Sequence, residues 1–186
     1  GTRAEVEVFR EAPTHEDLQC GAVVMEQTGT TLRIRSEDRC EIVHIIEHVT
    51  LSVPADADLS LKSIAGQVRI GSTNGMVSLD SIAGHVEVVD LREAKMSSLA
   101  RGLAMTVSTL GDRGITVSTV TGAIDLGVRV GVNATLVVRG MRGRFQDDLA
   151  GTELSGDVGQ DHRAVLGSGS GKIEIDRVAG NLRIHR

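Results

Sequence analysis

His44-Ile45-Ile46-Glu47-His48 is the run in this chain that best spells a hydrolytic metal site. The order His-x-x-Glu-His is used by inverted zinc peptidases, two imidazoles holding the ion and the carboxylate taking a proton from bound water. Cys40, four residues before His44, adds a third candidate ligand. That chemistry needs a helix, where positions i and i+4 lie about 5–6 Å apart at Cβ. Four residues of strand span about 13 Å, too far for ligands held at about 2.0–2.3 Å from one zinc ion. Ile42, Val43, Ile45, Ile46, Val49 and Thr50 surround the motif, and β-branched residues favour strand. The expectation is therefore a strand with no metal and no cofactor; His44, His48 and Cys40 are the residues that would overturn it.

Other groups meet similar objections. Gly167-Ser168-Gly169-Ser170-Gly171-Lys172 resembles a phosphate loop, but Gly167 precedes Gly171 by one residue too few, and Ile173 stands where Ser or Thr would hold magnesium. It also leads into a strand, without the helix N-terminus that favours phosphate. Arg139, Arg142 and Arg144, near Met141 and Phe145, form a basic cluster suited to a partner contact. Asp80, Asp90 and Asp125 flank strands; a glycosidase needs its carboxylates on one groove, and nothing in this spacing brings them together. Asn133-Ala134-Thr135 is a glycosylation sequon, uninformative without a secretory signal. Cys20 and Cys40 bracket a hairpin whose turn near Gly29-Thr30 sets Cys20 opposite Arg39 or Cys40. Two buried free thiols are expected, with a cross-strand disulfide as the alternative in an oxidising compartment.

The elements that must position these groups follow from a repeat. Ser63-Ile64-Ala65-Gly66-Gln67-Val68 returns eighteen residues later as Ser81-Ile82-Ala83-Gly84-His85-Val86, and glycines fall at 66, 75 and 84, nine apart. A fixed period signals stacked repeats. Apolar residues alternate with polar ones through Val68–Ile70, Val77–Leu79, Val86–Val88, Ile124–Leu126, Ile173–Ile175 and Leu182–Ile184, which is the mark of strands. Two nine-residue units per coil would stack strand 66–70 in parallel on 84–88, with Arg69 and Glu87 as outward neighbours; three units per coil is the rival. The alternation slips between 91 and 118, attributed to an inserted residue at Arg101 that makes a bulge. Leu91–Ala104 is the only helical candidate, and not a convincing one. Residues 1–53 read as a β-rich lead-in or cap containing the hairpin, and 54–186 as the repeat array.

Composition bounds the function classes. Hydrophobic residues make up 40%, with two Phe and no Tyr or Trp, so the core must be aliphatic. The net charge of −5 and the missing aromatics disfavour nucleic acid, which wants a basic surface and stacking platforms. No apolar run approaches the roughly 18–20 residues that span a bilayer, so no membrane insertion by this chain is expected, and no signal peptide is visible.

From Leu51-Ser52-Val53-Pro54-Ala55-Asp56-Ala57-Asp58-Leu59 into the Gly-x-Val-x-Ile units, the chain resembles a bacterial family of β-strand-repeat proteins described as adhesins, whose domain has no assigned function. The resemblance covers about residues 20–186. It implies a single-stranded parallel β-helix, or β-solenoid, often surface-exposed or membrane-anchored, and it brings no catalytic residue. The expected protein is all-β and not an enzyme. It serves adhesion, scaffolding or binding of a protein or cell-surface partner, with self-association through the solenoid ends as a further option. A cell-surface or extracytoplasmic location goes with the resemblance, a cytoplasmic one staying open. The alternatives are a carbohydrate-active or metal-dependent hydrolase on a β-helix, and an end-to-end polymer like the bactofilins.

Overall fold

The computed structural model describes residues 4–40, 45–149 and 161–186. It divides into two compact units, Gly1–Pro54 and Ala55–Arg186.

In the first unit, β1 (Glu5–Glu11) pairs antiparallel with β4 (Ile46–Ser52), and β2 (Gly21–Thr28) with β3 (Thr31–Asp38). Thr28 faces Thr31, which leaves Gly29-Thr30 as a two-residue turn with Gly29 at φ 59°, the left-handed backbone such tight hairpins need. A helix, α1 (His15–Gln19), precedes β2. Thr14 caps it by accepting the Asp17 N–H at 3.1 Å. The period-two reading missed it because five residues are too few to show a helical period. Cys20 and Cys40 form a disulfide with Cα atoms 5.2 Å apart, which corrects the expectation of free thiols. The hairpin carries both cysteines to its open end, where the Arg39 N–H donates to the Cys20 carbonyl at 2.6 Å. That end is not a core: Cys20 is half-buried and Cys40 exposed. Among the described residues of this unit no hydrophobic side chain is fully buried, and Phe9, Met25 and Ile46 are more than half exposed.

The second unit is built from two sheets. β5 (Leu59–Ile64), β7 (Thr73–Ile82), β9 (Leu91–Leu99), β11 (Ile115–Val120) and β13 (Ala134–Arg139) enter one sheet. β6 (Val68–Ile70), β8 (His85–Val88), β10 (Gly102–Val107), β12 (Ala123–Val128) and β14 (Phe145–Asp147) enter the other. The chain thus visits the sheets in turn, one strand in each per rung. β15 (His162–Leu166) and β16 (Gly171–Val178) complete a seven-stranded sheet, and β17 (Leu182–His185) a six-stranded one. All pairings in this unit are parallel except β13 with β15. Leu91–Ala104, the helical candidate, is strand β9 and the start of β10.

The step between neighbouring rungs is eighteen residues at first, Leu59 facing Val77 and Val68 facing Val86. It becomes seventeen (Val77 to Ala94, Val86 to Leu103) and then twenty-one (Ala94 to Ile115, Leu103 to Ile124). Both sheets change together, so each change arises in the turn that precedes the seven-stranded-sheet strand. The first is a bulge in β7, where the four residues from Thr73 to Met76 oppose the three from Leu91 to Glu93. This corrects the placement of an insertion at Arg101, which simply occupies the position held by Gly84 one rung earlier.

One corner repeats at every level. Ser63, Ser81, Ser98, Thr119, Arg177 and Gly140 all sit at φ between 55° and 61°, in the left-handed region that costs a non-glycine residue about 1–2 kcal/mol. Each precedes an inward apolar residue: Ile64, Ile82, Leu99, Val120, Val178 and Met141. Glycines follow. A Cβ on Gly84 would stand 1.6 Å from the Gly66 carbonyl oxygen, and one on Gly122 1.9 Å from that of Arg101. The Ser-Ile-Ala-Gly echo is this corner. Its residues bend the chain from one sheet to the other, and at Gly84 and Gly122 the stacked backbone approaches too closely for a Cβ.

The rungs do not stack in chain order. The sheets run β5-β7-β9-β11-β16-β13-β15 and β6-β8-β10-β12-β17-β14. The final rung, β16–β17, lies between β11–β12 and β13–β14. The inward faces share one aliphatic core in which Ile173, Ile175, Leu182 and Ile184 are fully buried.

Candidate functional site

The metal candidates are dispersed. Cys40 is bonded to Cys20, so its sulfur cannot serve as a thiolate ligand. His48 is exposed on β4, its ring beside Phe9 at 6.0 Å; His44 lies outside the described residues. Among the described residues no group of three or more His, Cys, Asp or Glu is placed to hold an ion.

The basic cluster is divided. Arg139 ends β13 and is matched by Glu174 and Asp176 of β16, each at 3.3 Å, with Asp161 at 3.8 Å. Those hydrogen bonds, Asp176's first, raise its pKa further. Arg142 and Arg144 stay exposed on the corner before β14, held by backbone N–H groups donating to the Val178 carbonyl and to Asn181 Oδ1. The acids are separate too. Asp80 lies on the seven-stranded sheet with Lys62 at 3.9 Å, Asp125 on the six-stranded sheet with His185 at 3.3 Å, and Asp90 in the turn before β9, accepting from Ser108.

The glycine-rich loop 167–171 has a structural use. It crosses the start of β13 to join β15 on one side of that strand to β16 on the other. The Ser168 N–H donates to Asn133 Oδ1 at 2.8 Å, the Gly171 N–H to the Asn133 carbonyl at 3.0 Å, and Thr135 Oγ1 to the Gly169 carbonyl at 3.1 Å. The Ser168 and Gly171 amides are therefore engaged by Asn133, and the Gly169 amide by the Leu166 carbonyl; nothing in the order of residues announces this role of Asn133.

At the corner before β7 and β9, residues eighteen apart form a polar ladder. The Asn74 amide donates to Asp56 at 3.0 Å, and the Arg92 guanidinium to Asn74 at 3.3 Å. Beside it lies a shallow cleft of about 170 Å³, lined by Ser72, Thr73, Asn74, Asp90, Arg92 and Thr109. Glu93, only 9% exposed, accepts the Arg113 N–H at 3.2 Å and its Nε at 2.5 Å. The backbone hydrogen bond from Arg113 is the largest cause of a lowered Glu93 pKa, which burial opposes. Glu174 is lowered first by the Lys172 ammonium, and Asp148 first by the Gln146 amide and then by Arg183. These carboxylates are held ionised by donors; they accept hydrogen bonds and organise the surface.

The outer faces carry rows of side chains in register. On the seven-stranded sheet, Ser60, Ser78, Lys95 and Thr116 form one row, and Lys62, Asp80, Ser97, Ser118, Asp176 and Arg139 the next. Rungs of a sheet are about 4.8 Å apart, so Ser78, Lys95 and Thr116 with Asp80, Ser97 and Ser118 make a polar strip, in which Ser97 donates to Asp80 at 2.7 Å and Ser118 to the Met96 carbonyl at 3.3 Å. Across the six-stranded sheet run Arg69, Glu87, Ala104, Asp125, Arg183 and Gln146, Arg69 and Glu87 paired at 2.9 Å. A cleft in the first unit, about 590 Å³, includes Arg10 and Arg39; the Arg10 guanidinium is turned onto the Gly21 carbonyl at 2.6 Å.

No family model matches the chain, and neither does any curated protein or solved structure.

Proposed function

We propose that residues 55–186 form a single-stranded parallel β-solenoid with two strands per coil, and that the chain is a non-catalytic binding or scaffolding protein whose sheet faces meet a protein or cell-surface partner. The observation that carries this is the polar strip on the seven-stranded sheet, in which Ser78, Lys95 and Thr116 stand in register beside Asp80, Ser97 and Ser118 on a parallel scaffold. Such a strip offers donors and acceptors at a fixed repeat to a partner that is itself extended. The carbohydrate-active alternative would need two carboxylates on one groove, whereas Asp80, Asp90 and Asp125 lie on three different surfaces. A bactofilin-like polymer would need both ends open to a parallel strand; β15 runs antiparallel along the outer edge of the seven-stranded sheet. The disulfide favours an oxidising compartment, in keeping with a surface location.

The test is co-sedimentation of the purified chain with bacterial cells and isolated cell walls, beside a Ser97→Arg/Ser118→Arg variant of the strip. Saturable binding that falls at least tenfold in the variant is expected. Binding that ignores the substitutions, or turnover of a glycan or peptide substrate by the purified chain, would overturn the reading.

A further inference from the structure

The rung placed last in the chain is not last in the sheets. β16 is hydrogen-bonded to β11 on one side and β13 on the other, and β17 to β12 and β14. This rung fills a slot: without it the edges of β11–β12 and of β13–β14 would carry unpaired N–H and C=O groups, and β13 and β14, whose strand partners all belong to residues 162–186, would have no other hydrogen-bonded strand to hold them. β15 grips the far side of β13, so residues 162–186 clasp that strand from both flanks. We infer that this C-terminal segment is exchangeable, and that two copies of the chain pair by each inserting its segment into the slot of the other.

Every contact that seats the segment joins it to the body of the unit. Ile173, Ile175, Leu182 and Ile184 are fully buried between the sheets. Outside, Glu174 and Asp176 meet Arg139, Arg177 Nε donates to Thr119, Asn181 accepts the Arg144 N–H, and Arg183 meets Asp148. None of these requires the segment and the slot to belong to one molecule. The fourteen residues between Asp147 and His162 reach about 50 Å when extended, enough to fill the slot of the same chain or a neighbour's. The two differ only in concentration. Closure within one chain does not depend on protein concentration and pairing does, so closure dominates in dilute solution and exchange competes as the concentration during folding rises. Swapping identical elements creates a closed pair without any new surface.

Ser118 and Asp176 are partners across β11 and β16. Full-length chains bearing Ser118→Cys alone and Asp176→Cys alone are mixed, unfolded without reductant so that Cys20–Cys40 stays closed, refolded together and oxidised. A covalent pair joining one chain of each kind is expected, its yield rising at least tenfold between about 10 μM and about 1 mM protein. A chain with both substitutions, refolded at about 10 μM, closes within itself and certifies the geometry. If these variants fail to fold, Asp125→Cys with Arg183→Cys, partners across β12 and β17, replaces them. Cross-chain product no more abundant at about 1 mM than that between two Asp176→Cys chains would overturn the inference.

Discussion

Among the described residues Glu93 is the acid most deeply set in the second unit, and its partner Arg113 grips it through both backbone and side chain. Glu93→Gln keeps the shape and removes the charge, and the loss of charge-assisted hydrogen bonds is expected to cost about 1–2 kcal/mol at pH 7. Because the pKa of Glu93 is lowered on folding, its stabilisation is present above the ordinary glutamate value of about 4.3 and is lost as pH falls through the lower folded value. The gap between the parent and the Gln variant should therefore narrow as pH falls below about 4.3, which urea unfolding at about pH 7 and in acid measures; a gap independent of pH would mean that the ionised carboxylate is not what stabilises. Ser98 presents the reverse situation. It is exposed at φ 57° with nothing gained from the strain. The left-handed backbone costs about 1–2 kcal/mol and glycine's extra freedom when unfolded about 0.5–1. Ser98→Gly should thus stabilise by about 0.5–1 kcal/mol, read from the urea midpoint.

Rungs are joined at a corner where backbone nearly touches backbone, and the glycine column supplies its own control. Gly66, the first member, has nothing within 4 Å of where a Cβ would stand, whereas on Gly122 a Cβ would meet the Arg101 carbonyl oxygen at 1.9 Å. Gly66→Ala should be neutral within about 0.5 kcal/mol. Gly122→Ala should cost about 3 kcal/mol, because only a shift of two rungs can relieve the overlap. Equal effects on the unfolding midpoint would mean that the column is not in contact. This corner also marks how much was legible beforehand. The eighteen-residue step could be read because Ser63-Ile64-Ala65-Gly66 and Ser81-Ile82-Ala83-Gly84 use the same residues for the same bend. Later corners use Ser98-Leu99 and Thr119-Val120, equivalent in backbone and different in letters, and the intervening turns vary in length, so the steps of seventeen and twenty-one were hidden. Arg69 opposite Glu87 and Cys20 near Arg39 or Cys40 follow from counting residues. The engagement of Asn133 by the glycine-rich loop does not, since it depends on which strand the loop crosses.

At the scale of the molecule the two units rest on different physics. The first has no fully buried hydrophobic side chain among its described residues and a disulfide across a separation of 20, a closure that contributes about 3 kcal/mol. Reduction should raise amide exchange through β1–β4 and leave the strands of the second unit unchanged, since these have an aliphatic core of their own. Within that core, alternation along Ile173–Ile175 and Leu182–Ile184 announces strands with one face buried, but says nothing about which strands flank them. Neighbour choice is a property of topology, and here it places the last rung in the middle. The consequence is opposite to what chain order suggests. Amides of β16 and β17, bonded on both sides, should exchange as slowly as those of β11 and β12, and more slowly than those of β5 and β6, which have one neighbour each. Ile184→Ala, at a side chain with no exposed surface, should cost about 2–5 kcal/mol and speed exchange in β12 and β14 together, because both lean on the same strand. Exchange in β17 that is fast in the parent, with β12 still protected, would place the final rung at an edge and remove the intercalated order.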